Sequence, residues 1–126
     1  MPSILIVDDN RDAADLLGAA LDTLGHRVCV VYSALEALEV LDEAAPDAAL
    51  LDIGLPILDG YELARKLLVR RPNLCLIAIT GYGQAHDRER AFEAGFHAHF
   101  VKPVSLPDLT AALDRYCFSG NAPSRE

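Results

Sequence analysis

The chain has 126 residues and a formal net charge of −8, from eleven basic and nineteen acidic residues; 52% of it is apolar and 24% charged. That is the composition of one globular domain with a real core, not of a disordered chain. The acidic balance argues against direct nucleic-acid or anionic-membrane binding, which need a basic footprint, and no apolar run approaches the ~18 residues of a membrane span.

Apolar bursts alternate with amphipathic stretches. The N-terminal MPSILIVDDN has no basic region, so it is not read as a signal peptide and a cytoplasmic location is expected. Its burst, Ile4-Leu5-Ile6-Val7, is the first strand. A helix follows, with Ala13, Leu16, Leu17, Ala20, Leu21 and Leu24 on one stripe and Gly25 as its C-terminal cap. The second strand is Val28-Cys29-Val30-Val31. Ser33 and Glu36 form a capping box that opens a helix with Leu35, Leu38 and Leu41 inside. Ala48-Ala49-Leu50-Leu51 is the third strand. Asp59 and Glu62 cap a third helix toward Arg70, with Pro72 just past its end. Residues 74–79 are the fourth strand, and 86–94 a weaker, more polar helix ending near Gly95. Phe100-Val101 is the fifth strand, and Ser105 caps a last helix with Leu109, Ala112, Leu113 and Tyr116 on one face. Strands apolar at every position are covered on both faces. Five βα units with right-handed crossovers therefore predict a doubly wound α/β sandwich with a parallel sheet. A single domain is expected over 1–118, with 119–126 a polar, frayed tail. Cys29, Cys75 and Cys117 are odd in number and widely spaced, so neither a disulfide nor a zinc pattern is expected, and Cys29 and Cys75 read as small core residues.

The chemistry sits where strands end. Asp8 and Asp9 follow the first strand, Asp52 the third, Thr80 the fourth and Lys102 the fifth. In an open parallel sheet these carboxyl ends share one edge, the edge at which such folds bind ligands. Singly, Asp8 or Asn10 can cap the first helix, Lys102 can be a solvated lysine and Thr80 an ordinary strand-end threonine. Together they form a constellation that strand propensity does not ask for, since Asp is disfavoured in strands. Three carboxylates a few ångströms apart repel one another, and a divalent cation relieves this. Hard oxygen donors with an incomplete shell suit Mg²⁺. A carboxylate beside that metal and a lysine can act as nucleophile toward phosphorus, giving an acyl phosphate. His97 and His99 share a side of the fifth strand, but with no third ligand in view they are read in non-metal roles; His26 and His86 are read as surface residues. Arg70-Arg71 is a basic pair at a helix end, too small for a nucleic-acid site, and Tyr61 and Tyr82 are read as half-buried aromatics.

The stretches ILIVDDN, LLDIGLPILDGYEL, IAITG and HFVKPV, in that order, resemble the receiver domain of two-component response regulators. Pro56 stands four after Asp52 and Gly60 eight after it, as in that family. The resemblance spans residues 4–116 and implies a flavodoxin-like sheet of order 2-1-3-4-5. It implies that Asp52 is the phosphoacceptor, that Asp9 is a direct Mg²⁺ ligand with Asp8 acting mainly through water, and that the Gly54 carbonyl is a further ligand. It implies that Thr80 and Lys102 grip the phosphoryl oxygens and that the Lys102–Pro103 bond is cis. The family's switch aromatic lies three before the lysine; here that residue is His99. The GYG stretch and AHFVKPV resemble receivers attached to hybrid histidine kinases. The implied partners are a histidine kinase or histidine phosphotransfer protein as donor, and a downstream protein on the surface of the fourth helix, fifth strand and fifth helix.

The expected function is therefore a phosphoacceptor signalling module, without an output domain of its own, that catalyses only its own phosphotransfer and slow dephosphorylation. Two alternatives come from other classes. A Mg²⁺-dependent phosphohydrolase with an aspartyl nucleophile needs Asp-x-Asp after the first strand, whereas Asp8 and Asp9 are adjacent. A phosphorylation-independent docking module would not need the complete acidic set.

Overall fold

In the computed structural model, which describes residues 3–54, 59–81 and 88–117, strands and helices alternate along the chain. The strands are β1 (Ser3–Val7), β2 (Arg27–Val31), β3 (Ala48–Asp52), β4 (Cys75–Thr80) and β5 (Phe96–Val101). The helices are α1 (Arg11–Thr23), α2 (Ala34–Ala44), α3 (Gly60–Arg70), α4 (Arg88–Glu93) and α5 (Leu106–Ala112), the last running into a π-helical turn, Leu113–Cys117. The expectations for Pro56, Tyr82, Gly83, His86 and the tail 119–126 lie outside the described residues.

The sheet is parallel throughout, in the order β2-β1-β3-β4-β5. Alternate residues of each strand turn to opposite faces. Ile4, Ile6, Leu50 and Ile77 pack under α1 and α5, against Leu21, Leu109 and Leu113. Leu5, Val7, Leu51 and Leu76 pack under α2, α3 and α4, against Leu41, Leu67 and Ala91. Both faces are thus covered, which is why β3 and β4 are apolar at every position before Asp52 and Thr80. Each fully buried leucine or isoleucine contributes about 1.5–3 kcal/mol relative to exposure.

Side-chain caps fix the helix starts. Asn10, Ser33, Asp59 and Ser105 accept from the backbone N–H groups of Ala13, Glu36, Glu62 and Asp108. The Glu36 carboxylate reaches back to the Tyr32 N–H at 2.8 Å, one residue earlier than a standard capping box. Gly25 (φ +98°) and Gly95 (φ +105°) turn the chain after α1 and before β5 in the left-handed region. Arg70 ties α3 to α2 through the Leu38 carbonyl and Asp42, and Arg71 adds the Asp42 carbonyl.

Several expectations are corrected. The buried stripe of α1 is Ala14, Gly18 and Leu21, and Leu16 is 74% exposed. Gly18 sets that offset: a Cβ there would stand 2.8 Å from Val30 Cγ2, so the helix descends onto β2 at this glycine. In α2 the inward residues are Ala34, Ala37 and Leu41, with Leu35 exposed. Tyr116 is exposed, because the helix widens into the π turn before reaching it. Strand β5 begins at Phe96, not Phe100; as an edge strand it carries two histidines that hide the apolar pattern. Tyr61 is fully packed, edge-on to Phe96 with ring centroids 6.3 Å apart. Finally, Cys75 and Cys117 are joined in a disulfide, with Cα atoms 5.5 Å apart. The π turn brings Cys117 over the start of β4, a proximity that a separation of 42 residues conceals. Cys29 keeps a free thiol.

Candidate functional site

The carboxyl ends of β1, β3, β4 and β5 bring Asp8, Asp52, Thr80 and Lys102 to one edge of the sheet. Asp8 continues β1, its N–H donating to the Val31 carbonyl. Its Oδ1 accepts the N–H of Asn10 at 3.0 Å, and Asn10 in turn caps α1. The cap therefore falls to Asn10, and Asp8 Oδ2 is left to meet Lys102 Nζ at 2.8 Å. Asp8 and Asp52 are 7% and 6% exposed, while Asp9 faces solvent. One oxygen from each of Asp8, Asp9 and Asp52 lies within 4.8 Å of the others, a grouping that could hold a metal ion.

Asp52 is held by its own loop. Its Oδ1 accepts the Gly54 N–H at 3.0 Å, the Ile53 N–H donates to the Ile79 carbonyl, and the Gly60 N–H donates to the Ile53 carbonyl. Gly60, at the start of α3, is required by space: a Cβ there would stand 2.7 Å from Ile53 Cα and 2.8 Å from the Asp52 carbonyl oxygen. The spacing of Gly60 from Asp52 is thus a packing constraint on the loop that carries the carboxylate. Burial raises the Asp52 carboxyl from its ordinary 3.8 to about 6; the Gly54 N–H opposes this, Asp8 adds to it and Lys102 counters it. At neutral pH the group is mainly ionised yet close enough to its pKa to feel a change in its neighbours.

Thr80 is fully buried and its hydroxyl donates to the Phe100 carbonyl across β5 at 3.5 Å, a long bond. The Lys102 N–H donates to the Thr80 carbonyl at 2.8 Å, which fixes the lysine beside the threonine. The Lys102–Pro103 peptide is cis. His99 lies on β5 opposite Ala78, half-buried, on a groove lined also by Phe92, Phe100 and Tyr116. His97 has a use that its sequence position did not disclose. Its Nδ1 accepts the Leu76 N–H where the β4–β5 register shifts, a bond that uses the unprotonated nitrogen, and burial lowers its pKa in the same sense. Among the described residues the one metal-capable grouping is the Asp8–Asp9–Asp52 set, so the two histidines do not extend it.

Residues 4–114 match the family model of the response regulator receiver domain. Sporulation initiation phosphotransferase F of Bacillus subtilis is 31% identical over 113 residues, covering 90% of this chain and 91% of that protein. Response regulator MprA of Mycobacterium ulcerans is 33% identical over 110 residues; the match covers 87% of this chain but 47% of MprA, so this chain spans about half of that relative. Among solved structures, a CheY-like response regulator receiver domain protein from Methanospirillum hungatei superposes with a TM-score of 0.84 at 32% identity, covering 91% of this chain and 92% of that one. With a family model covering most of its length, and a sheet in the order implied by its motifs, the chain belongs to the response regulator receiver domain family.

Proposed function

We propose that the chain accepts a phosphoryl group on Asp52 from the phosphohistidine of a histidine kinase or histidine phosphotransfer protein. The observation that carries this reading is the buried Asp52 carboxylate on the β3 edge, beside Asp8, Asp9 and the Asp8-paired Lys102. Gly54 occupies Oδ1, so Oδ2 is the oxygen left to attack phosphorus. The bond from phosphorus to the donor imidazole breaks, and the leaving nitrogen retains the electron pair and takes up a proton. Lys102 then exchanges its Asp8 partner for a phosphoryl oxygen, and the Thr80 hydroxyl turns from the Phe100 carbonyl to another.

The carboxylate oxygens fit Mg²⁺, a hard cation that retains waters and recruits phosphate. In this reading Asp9 and Asp52 hold it directly, Asp8 mainly through water, and Gly54 through its carbonyl. When bound it supplies positive charge against the carboxylates and the transferring group.

The donor must reach Asp52 from outside. A largely apolar cleft of about 470 Å³ between α1 and α5, with Leu16 and Leu17 on one wall and Val104 and Leu106 on the other, has Asp8 and Lys102 in its lining. This cleft is the donor's seat. The change is passed to a downstream protein at the surface of α4, β5 and α5, where Phe92 is 77% exposed beside His99. The proposed module is 1–118 with the tail 119–126 outside it, working in the cytoplasm by protein contact, without nucleic-acid binding; the net charge of −8 supports the last point. Its catalysis is confined to its own phosphotransfer and dephosphorylation.

The test is labelling. Phosphate from a phosphorylated histidine kinase or phosphoramidate should be incorporated in acid-stable, base-labile form by the wild type and not by Asp52→Asn, with the circular dichroism of the two alike. Full labelling of Asp52→Asn, or multiple turnover of a phosphomonoester, would overturn the assignment.

A further inference from the structure

The disulfide lies at the opposite end of β4 from Thr80. Cys75 is the first residue of that strand and is 5% exposed. Cys117 closes the π-helical turn and is partly exposed. The ring closed between them contains β4, α4, β5 and α5, hence Thr80, His99 and Lys102. The bond also pins the C-terminal end of the helix that supplies Ala112 and Tyr116 to the groove on β5.

We propose that Cys75 and Cys117 form a reversible thiol–disulfide site, whose oxidised form clamps the end of α5 to β4 and whose reduced form releases the π-helical turn. The oxidant is a low-molecular-weight disulfide. The more exposed Cys117 thiolate attacks one of its sulfurs, forming a mixed disulfide and releasing one thiol. The Cys75 thiolate then attacks Cys117 Sγ, closing the protein bond and releasing the second thiol. Two protons and two electrons leave the protein, and the reagent disulfide is reduced to two thiols. A dithiol reverses both steps.

The fold makes this pairing selective. Cys29 is on β2, and Cys75 is on β4, with β1 and β3 between them, so three strand spacings of roughly 4.8 Å separate them in the sheet. They also face opposite ways: Cys75 packs with Ile4, Ala48 and α5, whereas Cys29 packs with the cluster under α2 and α3. No disulfide spans that arrangement. Burial, with Glu43 nearby, raises the Cys29 thiol pKa, which keeps it a poor nucleophile. The release is local for a physical reason. Leu109, Ala112 and Leu113, the first residue of the turn, are buried and hold α5 on the sheet, whereas Asp114, Arg115 and Tyr116 beyond it are exposed, so that the bond restrains the turn from Asp114 on.

The proposal is independent of the acceptor assignment, and its test reads neither phosphorylation nor partner binding. The folded protein is equilibrated across a series of glutathione and dithiothreitol buffers, quenched with acid, then alkylated in denaturant and weighed. Expected are one alkylated cysteine, Cys29, at the oxidising end and three at the reducing end, in a single two-thiol transition reversible in both directions. Backbone hydrogen exchange over residues 113–117 should quicken at least tenfold on reduction, with α1 and β3 unchanged, and Cys117→Ser should match the reduced protein in either buffer. Three alkylated cysteines under oxidising conditions, a bond that no dithiol reduces without unfolding, bridges to Cys29, or exchange at 113–117 indifferent to reduction would each overturn it.

Discussion

Gly60→Ala tests whether the loop carrying Asp52 is positioned by the start of α3. The added Cβ would stand 2.7 Å from Ile53 Cα and 2.8 Å from the Asp52 carbonyl oxygen. Ordinary carbon contacts begin near 3.5 Å, so backbone on one side must retreat by roughly 0.7–0.8 Å. Overpacking of this kind costs about 1–3 kcal/mol. Alanine returns up to about 1 kcal/mol through its better helix propensity and the lower entropy of its unfolded chain. The expected net loss is about 0–3 kcal/mol, centred near 1.5. The second consequence is chemical. A displacement of that size moves the Asp52 carboxylate off the N–H of Gly54, and misplacement by ~1 Å costs up to about a hundredfold in rate. Gly25→Ala is the control: its φ of +98° makes alanine unfavourable by about 1–2 kcal/mol, yet its Cβ meets nothing within 4 Å and it is at the far end of α1. Urea unfolding should show similar losses for both variants, and phosphoramidate labelling should slow at least tenfold for Gly60→Ala alone. Equal labelling rates in the two variants would refute the reasoning.

Asp52 should make the metal-free protein less stable as pH rises. Both folded and unfolded chains carry its proton below about pH 3.8; between there and about 6 the unfolded chain ionises first, so stability falls and then levels. Urea unfolding in chelator from pH 3 to 8 should show Asp52→Asn without that slope and more stable above pH 6, by at most about 3 kcal/mol from a shift of roughly two units; identical profiles would count against the buried ionised carboxylate. Mg²⁺ should raise the melting temperature, since saturation at a hundredfold excess over the dissociation constant is worth about 2.7 kcal/mol; calorimetry should find the gain in wild type and lose most of it in Asp9→Ala. Beryllofluoride, standing in for the phosphoryl group, should shift both the Thr80 and the His99 imidazole signals in NMR spectra, and a shift at Thr80 alone would separate His99 from the switch.

What the sequence made legible was set by local chemistry repeated along the chain. Alternation of apolar bursts with capped helices indicated the α/β order, because each βα unit is written in adjacent residues: Ser33, Asp59 and Ser105 all cap their helices as expected. Asp8, Asp9, Asp52 and Lys102 were legible as a group because the topology rule for parallel sheets converts strand ends into neighbours. Less legible were matters decided between elements. Periodicity placed Leu16 and Leu35 inward, but the helix faces rotate to suit Gly18 against Val30 and Ala37 against the sheet. Two histidines masked the first half of β5, since an edge strand tolerates polar side chains and His97 is used there as a backbone acceptor. The Cys75–Cys117 bond was hidden because it depends on the packing angle of α5 and on one π-helical turn, which no residue type announces.

Under the proposed function, the energies at Thr80 would give a modification at Asp52 a route to β5. A buried hydroxyl must keep a partner, and among the described residues that partner is the Phe100 carbonyl at 3.5 Å. A neutral bond contributes about 0.5–1.5 kcal/mol net at good geometry, and at this length less, whereas a hydrogen bond to a charged oxygen contributes about 1.5–3 kcal/mol. A phosphoryl group on Asp52 would therefore outbid the Phe100 carbonyl for the same hydroxyl. Asp52 is paired with Ile79 across the β3–β4 register and Thr80 with Val101 across the β4–β5 register, so the path from modified residue to edge strand crosses only two ladders. β5 can respond where β3 cannot: β3 is buried along its whole length between two neighbours, whereas β5 pairs on one side only and its middle residues are half-buried. Phe100, whose carbonyl keeps its place in the β4–β5 ladder, lies between His99 and Val101, which already border solvent. The exposed Phe92 and Tyr116 thus flank an edge strand, β5, whereas Asp8 and Asp52 follow the interior strands β1 and β3.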